Sequence, residues 1–365
     1  MSPTMIPRAL QPGAKIALIS PSARLNHEIP AALARGVDLI SSRGYQVVEI
    51  YHGPDTGVQS GIANRLAELR AAFSDPSVSV VWATIGGSTF TELLPALLAD
   101  TELHEVIRAH PKIVVGYSDI TGLHWFLYSL GLRTFYGPGI FPELGEPRAA
   151  EKEAYETSAL GFCVQHVFRA MTDPTPIGAI ARSPTYAPNP ARIFTDPDST
   201  ERPRLVPNPG WTWLRSGKAQ GRLFGGCLTV MVRLGGVRAI APDWKGRIVF
   251  LETAMADNDE GKGNPLFRVQ AAVADLIAQG VFEEAAGLVV GRPFGYNTAE
   301  MRESYMQVIR DLLCEGRLAS TNAFPILFGV DIGHTTPMVT LPYDGLAVLD
   351  SERDEFAIIE SVVQA

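Results

Sequence analysis

Apolar and polar positions in the first third of the chain alternate between short apolar runs and longer amphipathic stretches. Lys15-Ile-Ala-Leu-Ile-Ser-Pro21 precedes an amphipathic segment from Ile29 to Ile40, a pattern that predicts a buried strand followed by a helix. The order repeats with Tyr45 to Tyr51, a helical segment from Gly61 to Phe73, and the apolar run Val78 to Ile85. A helical region from Phe90 to Ala109 leads into Lys112-Ile-Val-Val-Gly-Tyr117, and the next stretch sets Ile120, Leu123, Leu127 and Leu130 on one helical face. Repeated β-α units of this kind predict an α/β fold with an N-terminal Rossmann-like domain, its largely parallel sheet covered on both faces.

Periodicity stops between Thr172 and Pro209, where nine prolines occur. Proline lacks an amide hydrogen and breaks helices and central strands alike, so residues 172–209 read as a linker between an N-terminal domain, 1–171, and a C-terminal domain, 210–365. In the latter, Gly246 to Glu252, Ala286 to Gly291 and Met338 to Leu341 read as strands, and Leu266 to Ala278 and Glu300 to Leu313 as helices. A mixed α/β, β-rich domain is expected there.

Composition narrows the function. A chain of 365 residues that is 46% hydrophobic can build two cores. Lys and Arg total 31 against 39 Asp and Glu, a net charge of -8 that opposes binding to a nucleic acid polymer. Cys163, Cys227 and Cys314 are widely separated and odd in number, so neither a disulfide framework nor a zinc motif is indicated. No H-E-x-x-H pattern occurs, and neither a metal nor an organic cofactor is expected. The first residues, broken by Pro3, Pro7 and Pro12, lack the apolar centre of a secretory signal, and no apolar run reaches the length of a membrane span. A soluble, cytoplasmic protein is the expectation.

Candidate chemistry begins with Gly116-Tyr117-Ser118-Asp119-Ile120-Thr121, where a serine sits between the end of an apolar strand and the start of a helix. Such a turn presents a hydroxyl beside unpaired backbone N–H groups, which suit an oxyanion. The structural alternative is helix capping by Ser118 or Asp119. A serine nucleophile needs a base, and His334, in the polar turn Gly333-His-Thr-Thr-Pro337, is the best placed of the seven histidines. His104, His110 and His124 read as structural or solvated. Glu252, which ends an apolar run, and Asp331, three residues before His334, compete to orient the imidazole, with Asp119 a further candidate. Local spacing does not choose among them. Thr84-Ile-Gly-Gly-Ser-Thr89 follows a strand, and Gly86 and Gly87 permit close backbone approach to a ligand. Neither a Walker motif nor a full G-x-G-x-x-G fingerprint accompanies them.

Taken in order, Lys15 to Ser22, Ile85-Gly-Gly87, Gly116 to Thr121, Gly221-Arg-Leu-Phe-Gly-Gly226, Phe250-Leu-Glu252 and Gly333 to Pro337 resemble the LD-carboxypeptidase and microcin C immunity protein family of serine peptidases. The resemblance implies a triad of Ser118 as nucleophile, Glu252 as orienting carboxylate and His334 as base. It further implies an oxyanion hole from the amides of Gly87 and Asp119, and a homodimer. Gly210-Trp-Thr-Trp-Leu214 looks more like the immunity branch, which cleaves a peptidyl-nucleotide, than the branch that trims a murein peptide. Trp211 or Trp213 could then stack on the base; the alternative is that they anchor the linker. Cys227 departs from the family, in which asparagine usually follows the glycine pair.

Overall fold

The computed structural model describes residues 4–151, 156–188, 196, 198–257 and 259–365. Pro190 and Pro197 of the proline-rich segment lie outside the described residues. In the first sheet, β1 (Lys15–Ile19), β2 (Gln46–Glu49), β3 (Val78–Ala83), β4 (Ile113–Gly116) and β5 (Phe135–Tyr136) run parallel in the spatial order 2-1-3-4-5. Strands β3 and β4 are buried almost throughout, Ser79 being the half-buried exception, which explains their largely apolar character. The crossovers carry α1 (Pro30–Ser41), α2 (Val58–Ser74), α3 (Phe90–Ala99), α4 (Thr101–Ala109) and α5 (Thr121–Ser129). Because β2 and β3 lie on opposite sides of β1, right-handed crossovers send α1 to one face and the later helices to the other. The crevice beyond the carboxyl ends of β1 and β3, where the strand order reverses, is the natural ligand position of this topology.

The region from 90 to 109 forms two helices rather than one. Asp100 separates them, capping α4 by accepting the Leu103 N–H at 3.0 Å and pairing with Arg70, since a side chain that bonds its own backbone favours a helix start over a helix interior.

After α6 (Ala159–Thr172), the described residues of the proline-rich segment form three two-residue strands, β6 (Gly178–Ala179), β7 (Thr185–Tyr186) and β8 (Val206–Pro207). Strand β6 lies at the edge of the second sheet and β7 pairs with β8 in a sheet of two strands among the described residues, positions where a missing amide hydrogen is tolerated. The second sheet also takes β9 (Thr212–Arg215), β10 (Lys218–Cys227), β11 (Arg247–Glu252), then, after the hairpin β12 (Met255–Ala256) and β13 (Asp259–Gly263), β14 (Gly287–Gly291) and β15 (Ile326–Val330). Strands β10, β11, β14 and β15 are its parallel centre. Helices α7 (Leu228–Leu234), α8 (Leu266–Ala278), α9 (Ala299–Leu313) and α10 (Gly316–Thr321) connect them.

The segment expected as a strand from Met338 to Leu341 is one only from Leu341. This strand, β16 (Leu341–Pro342), pairs antiparallel with β5 of the first sheet. A loop closed by the Val339 N–H on the Asp331 carbonyl carries the chain away from the second sheet. The chain then returns as β17 (Leu346–Asp350) and β18 (Glu355–Ile358). One continuous hydrophobic cluster runs through both sheets. Helix α5 joins them: fully buried Trp125 donates its indole N–H to the Gly225 carbonyl at 2.9 Å, and Tyr343 donates to the same oxygen. Burying an aromatic side chain of this kind stabilises by roughly 1.5–3 kcal/mol, while the shared acceptor fixes its orientation.

Candidate active site

Ser118 follows β4 with φ 63, a left-handed backbone that side chains other than glycine adopt at a cost of roughly 1–2 kcal/mol. Its surroundings hold it there. The Ser118 N–H donates to the Tyr136 hydroxyl at 3.1 Å, and the Thr121 hydroxyl donates to the Ser118 carbonyl at 2.7 Å. Residues 118–120 form a 3-10 turn that leads directly into α5. The sharp turn lifts the serine out of the sheet at its carboxyl end, the arrangement that exposes a nucleophile above a parallel sheet.

Gly86, after β3, faces this turn. A Cβ on Gly86 would lie 2.7 Å from Ser118 Cβ, 2.9 Å from Ser118 Oγ and 3.2 Å from the Asp119 nitrogen. A glycine is therefore required where the two loops meet. The Gly87 backbone, at φ 140, turns against Ser22 and Ala23.

Glu252 ends β11 and is buried. Its Oε2 accepts from the His334 backbone N–H at 3.1 Å and lies 2.8 Å from His334 Nδ1, while its Oε1 accepts the Tyr136 hydroxyl at 2.5 Å. A carboxylate at Nδ1 selects the tautomer protonated there and leaves Nε2 as the acceptor. Burial pushes the Glu252 pKa up, but His334 and the hydroxyl of Tyr136 outweigh it and hold the group below the usual glutamate value. Gly333 makes the approach feasible: its φ is 73, and a Cβ there would lie 2.2 Å from Glu252 Cγ and Cδ. The Tyr117 ring meets the imidazole edge-on, with centroids 5.0 Å apart.

The other carboxylates are engaged elsewhere. Asp331 binds Arg292 through Nη2 at 2.9 Å and accepts from Asn208 and the Ser183 amide. Asp119 accepts from Ser22, the Phe90 amide and Arg233. Of the three orienting candidates, only Glu252 meets the imidazole.

Gly86, Gly87, Ser118 and His334 line one cavity of about 770 Å³. Its walls include apolar Leu25, Ile85, Val230, Met255 and Phe294, and polar Ser88, Thr229, Asn264 and Arg233. Glu143 also faces it, with Oε1 accepting the Tyr117 hydroxyl at 2.8 Å and Oε2 the Gly139 N–H at 3.0 Å. Burial raises its pKa to about 7, and burial followed by the charge of Glu143 raises Glu146 to about 8.

Cys227 ends β10 in register with Glu252. Ligand atoms of Cys227, Glu252 and His334 lie within 4.8 Å of one another, so these three residues could converge on a metal ion. Burial pushes the Cys227 thiol well up, and a cation there would first have to displace its proton. Sequence spacing did not disclose this cluster, because its members come from three separate strand ends.

Trp211 and Trp213 are not among the residues that line the cavity. Trp213 is on β9, the far edge of the second sheet, and donates its indole N–H to Asp354 at 2.8 Å. The Trp211 ring is covered by the Arg182 guanidinium at 3.7 Å and packs near Phe356. Both anchor the polypeptide beside the proline-rich segment. His124 is buried between the Thr134 hydroxyl and the Gly116 carbonyl, and burial lowers its pKa to about 4. Sequence reasoning missed Tyr136, whose hydroxyl on a buried two-residue strand was the available signal, because such a group needs a partner.

A serine raised above a parallel sheet, facing a cavity shared with a carboxylate-bound histidine, belongs to the architecture of serine hydrolases. Residues 16–137 match the LD-carboxypeptidase N-terminal domain and residues 220–349 the LD-carboxypeptidase C-terminal domain, and the chain belongs to this family of serine peptidases. The microcin C7 self-immunity protein MccF of Escherichia coli is 27% identical over 95% of this chain and 94% of its own. A probable murein peptide carboxypeptidase of Bacillus subtilis is 27% identical over 98% of this chain and 95% of its own. The crystal structure of an MccF-like protein from Bacillus anthracis superposes with a TM-score of 0.81 at 25% identity, covering 98% of this chain and 99% of that one. Among the described residues, no helix is long and apolar enough to cross a membrane.

Proposed function

We propose that the protein hydrolyses an amide-type acyl bond of a small substrate, with Ser118 as nucleophile, His334 as general base and Glu252 as the carboxylate that orients it. The observation that carries this reading is the shared cavity of about 770 Å³ lined by Ser118 and His334, with Glu252 2.8 Å behind the imidazole. Ser118 Oγ attacks the acyl carbon while His334 Nε2 takes its proton. The tetrahedral oxyanion is held by the amides of Gly87 and Asp119, and His334 returns the proton to the leaving nitrogen. Water, activated by the same imidazole, then releases the acyl group from Ser118.

The preferred substrate is a peptidyl- or aminoacyl-nucleotide of the microcin C type, which makes the reaction one of self-immunity or detoxification. Similarity to MccF along nearly the whole chain supports it, as does a cavity wall apolar enough, through Met255, Phe294 and Val230, to accept a flat base. The second reading, removal of a terminal D-alanine from a murein tetrapeptide, draws on similarity to a murein peptide carboxypeptidase that is also 27% identical. Purified protein offered both a murein tetrapeptide and an aspartyl-adenylate analogue with a cleavable acyl linkage separates the two. Cleavage of the tetrapeptide alone overturns the preferred substrate. Tight binding without turnover, together with failure of a fluorophosphonate to label Ser118, makes the protein a silent binder instead. A cytoplasmic homodimer is the proposed setting, checked by fractionation and sedimentation.

A further inference from the structure

We infer that Arg233 is the residue that recognises a carboxylate on the substrate, an inference that rests on the hydrolase reading above. Arg233 is the one Lys or Arg among the described residues that line the cavity. It stands on α7, whose Thr229, Val230 and Arg233 share the cavity wall, as positions three and four residues apart on one helical face do. Its Nη2 donates to Asp119 Oδ1 at 2.7 Å, the single protein hydrogen bond of this guanidinium among the described residues.

A guanidinium has five N–H donors in a rigid fork. Asp119 takes one of these, and it is itself buried and held by Ser22 and the Phe90 amide. The Arg233 side chain is 40% exposed while its partner is fully buried. The ion pair therefore fixes the fork from behind and leaves donors directed at the cavity. Asp119 adjoins Ser118 in the chain, so the cation is tied to the turn that carries the nucleophile.

The remaining charge around the site sharpens the point. Glu143 and Asp257 line the same cavity, and Glu252 lies behind His334. Arg233 is the guanidinium of this otherwise acidic wall, so a substrate carboxylate finds its charge-assisted partner there. Two substrate carboxylates fit this chemistry: the free carboxyl terminus of a peptide, or the side chain of an acidic aminoacyl group.

The test pairs each residue with each charge. Binding is measured on Ser118→Ala protein, which needs no turnover, using a tetrapeptide with a free or amidated terminus and aspartyl- or asparaginyl-sulfamoyl-adenosine. The Arg233→Gln change is then added; it keeps a donor for Asp119 but removes the charge. Neutralising the relevant carboxylate should weaken binding about 10- to 100-fold with Arg233 present and less than about threefold once Arg233→Gln is introduced, the range expected for a hydrogen-bonded charge. Arg233→Lys, which keeps the charge without the fork, should give an intermediate ratio if the variant protein melts within a few degrees of its parent. Discrimination in the tetrapeptide pair assigns the carboxyl terminus, and in the nucleoside pair the acidic side chain. Equal binding of the charged and neutral members of both pairs, or discrimination that survives Arg233→Gln and Arg233→Lys alike, overturns the inference. If discrimination depends on Arg233 but the wild-type protein cleaves neither substrate, the hydrolase reading fails and the carboxylate site stands.

Discussion

The Tyr136 hydroxyl donates to Glu252 Oε1 at 2.5 Å while accepting the Ser118 N–H at 3.1 Å. One phenol thus ties the backbone of the serine turn to the carboxylate behind His334, across the junction of the two sheets. Packing against Phe250 and Tyr343 fixes the ring, and burial holds its pKa far above the usual tyrosine value, so the hydroxyl remains a donor.

Tyr136→Phe should retain the fold, because the ring volume is kept, yet leave the Ser118 amide and a buried carboxylate oxygen without their partner. A loss of about 10- to 100-fold in kcat with little change in KM is expected. Glu252 also loses a group that favours its ionised form, so the acid limb of the pH–rate profile should move to higher pH. An unchanged profile and kcat would remove Tyr136 from the machinery.

Glu252 and Asp331 should separate cleanly on substitution. Glu252→Gln removes the charge facing Nδ1 and is expected to lower kcat by on the order of 10⁴-fold. Asp331→Asn leaves buried Arg292 without its counter-charge and should lower stability by about 3 kcal/mol, with kcat per folded molecule within a few fold of wild type. Denaturant titration alongside initial rates measures both. A larger kcat loss from Asp331→Asn would transfer the orienting role to it.

Gly86→Ala places a methyl group 2.7 Å from Ser118 Cβ. The serine must move or the loops must part, and a displacement on the order of 1 Å costs about 100-fold in rate. Fluorophosphonate labelling of Ser118 should fall with turnover, while the melting temperature changes by only a few degrees. Labelling at the wild-type rate would show that the contact is harmless.

Glu143 and Glu146 should make stability depend on pH with a definite sign. Their folded pKa values are raised, to about 7 and about 8, from the ordinary glutamate value of 4.5. The folded state therefore binds protons more tightly than the unfolded state. The resulting stabilisation is fully present below pH 4.5 and is lost progressively as pH rises through about 7 to 8. In the double variant Glu143→Gln, Glu146→Gln this fall should be absent, and above pH 8 the variant should be the more stable protein. Chemical denaturation across the range from acid to mildly alkaline pH checks it; parallel curves for the two proteins would refute the assignment.

The sequence by itself determined the repeating β-α order and the three strand ends at which Ser118, Glu252 and His334 stand, because strand ends are marked locally by an apolar run meeting a polar or glycine-rich turn. It also disclosed Gly86 and Gly87 as a place of close approach. Local pattern carries no information about which strand ends meet. Local spacing left Glu252 and Asp331 open and the family resemblance implied Glu252; the tertiary structure supplies the physical reason, since Gly333 lets one carboxylate reach the imidazole while Arg292 occupies the other. Only the tertiary structure placed Trp211 and Trp213 outside the cavity lining, because an edge strand and a central strand look alike in an aromatic-rich segment. The roles of Tyr136 and Arg233 lay beyond the sequence for the same reason. Each gains its meaning from a partner more than a hundred residues distant, which the packing of one sheet unit on the other brings within hydrogen-bonding range.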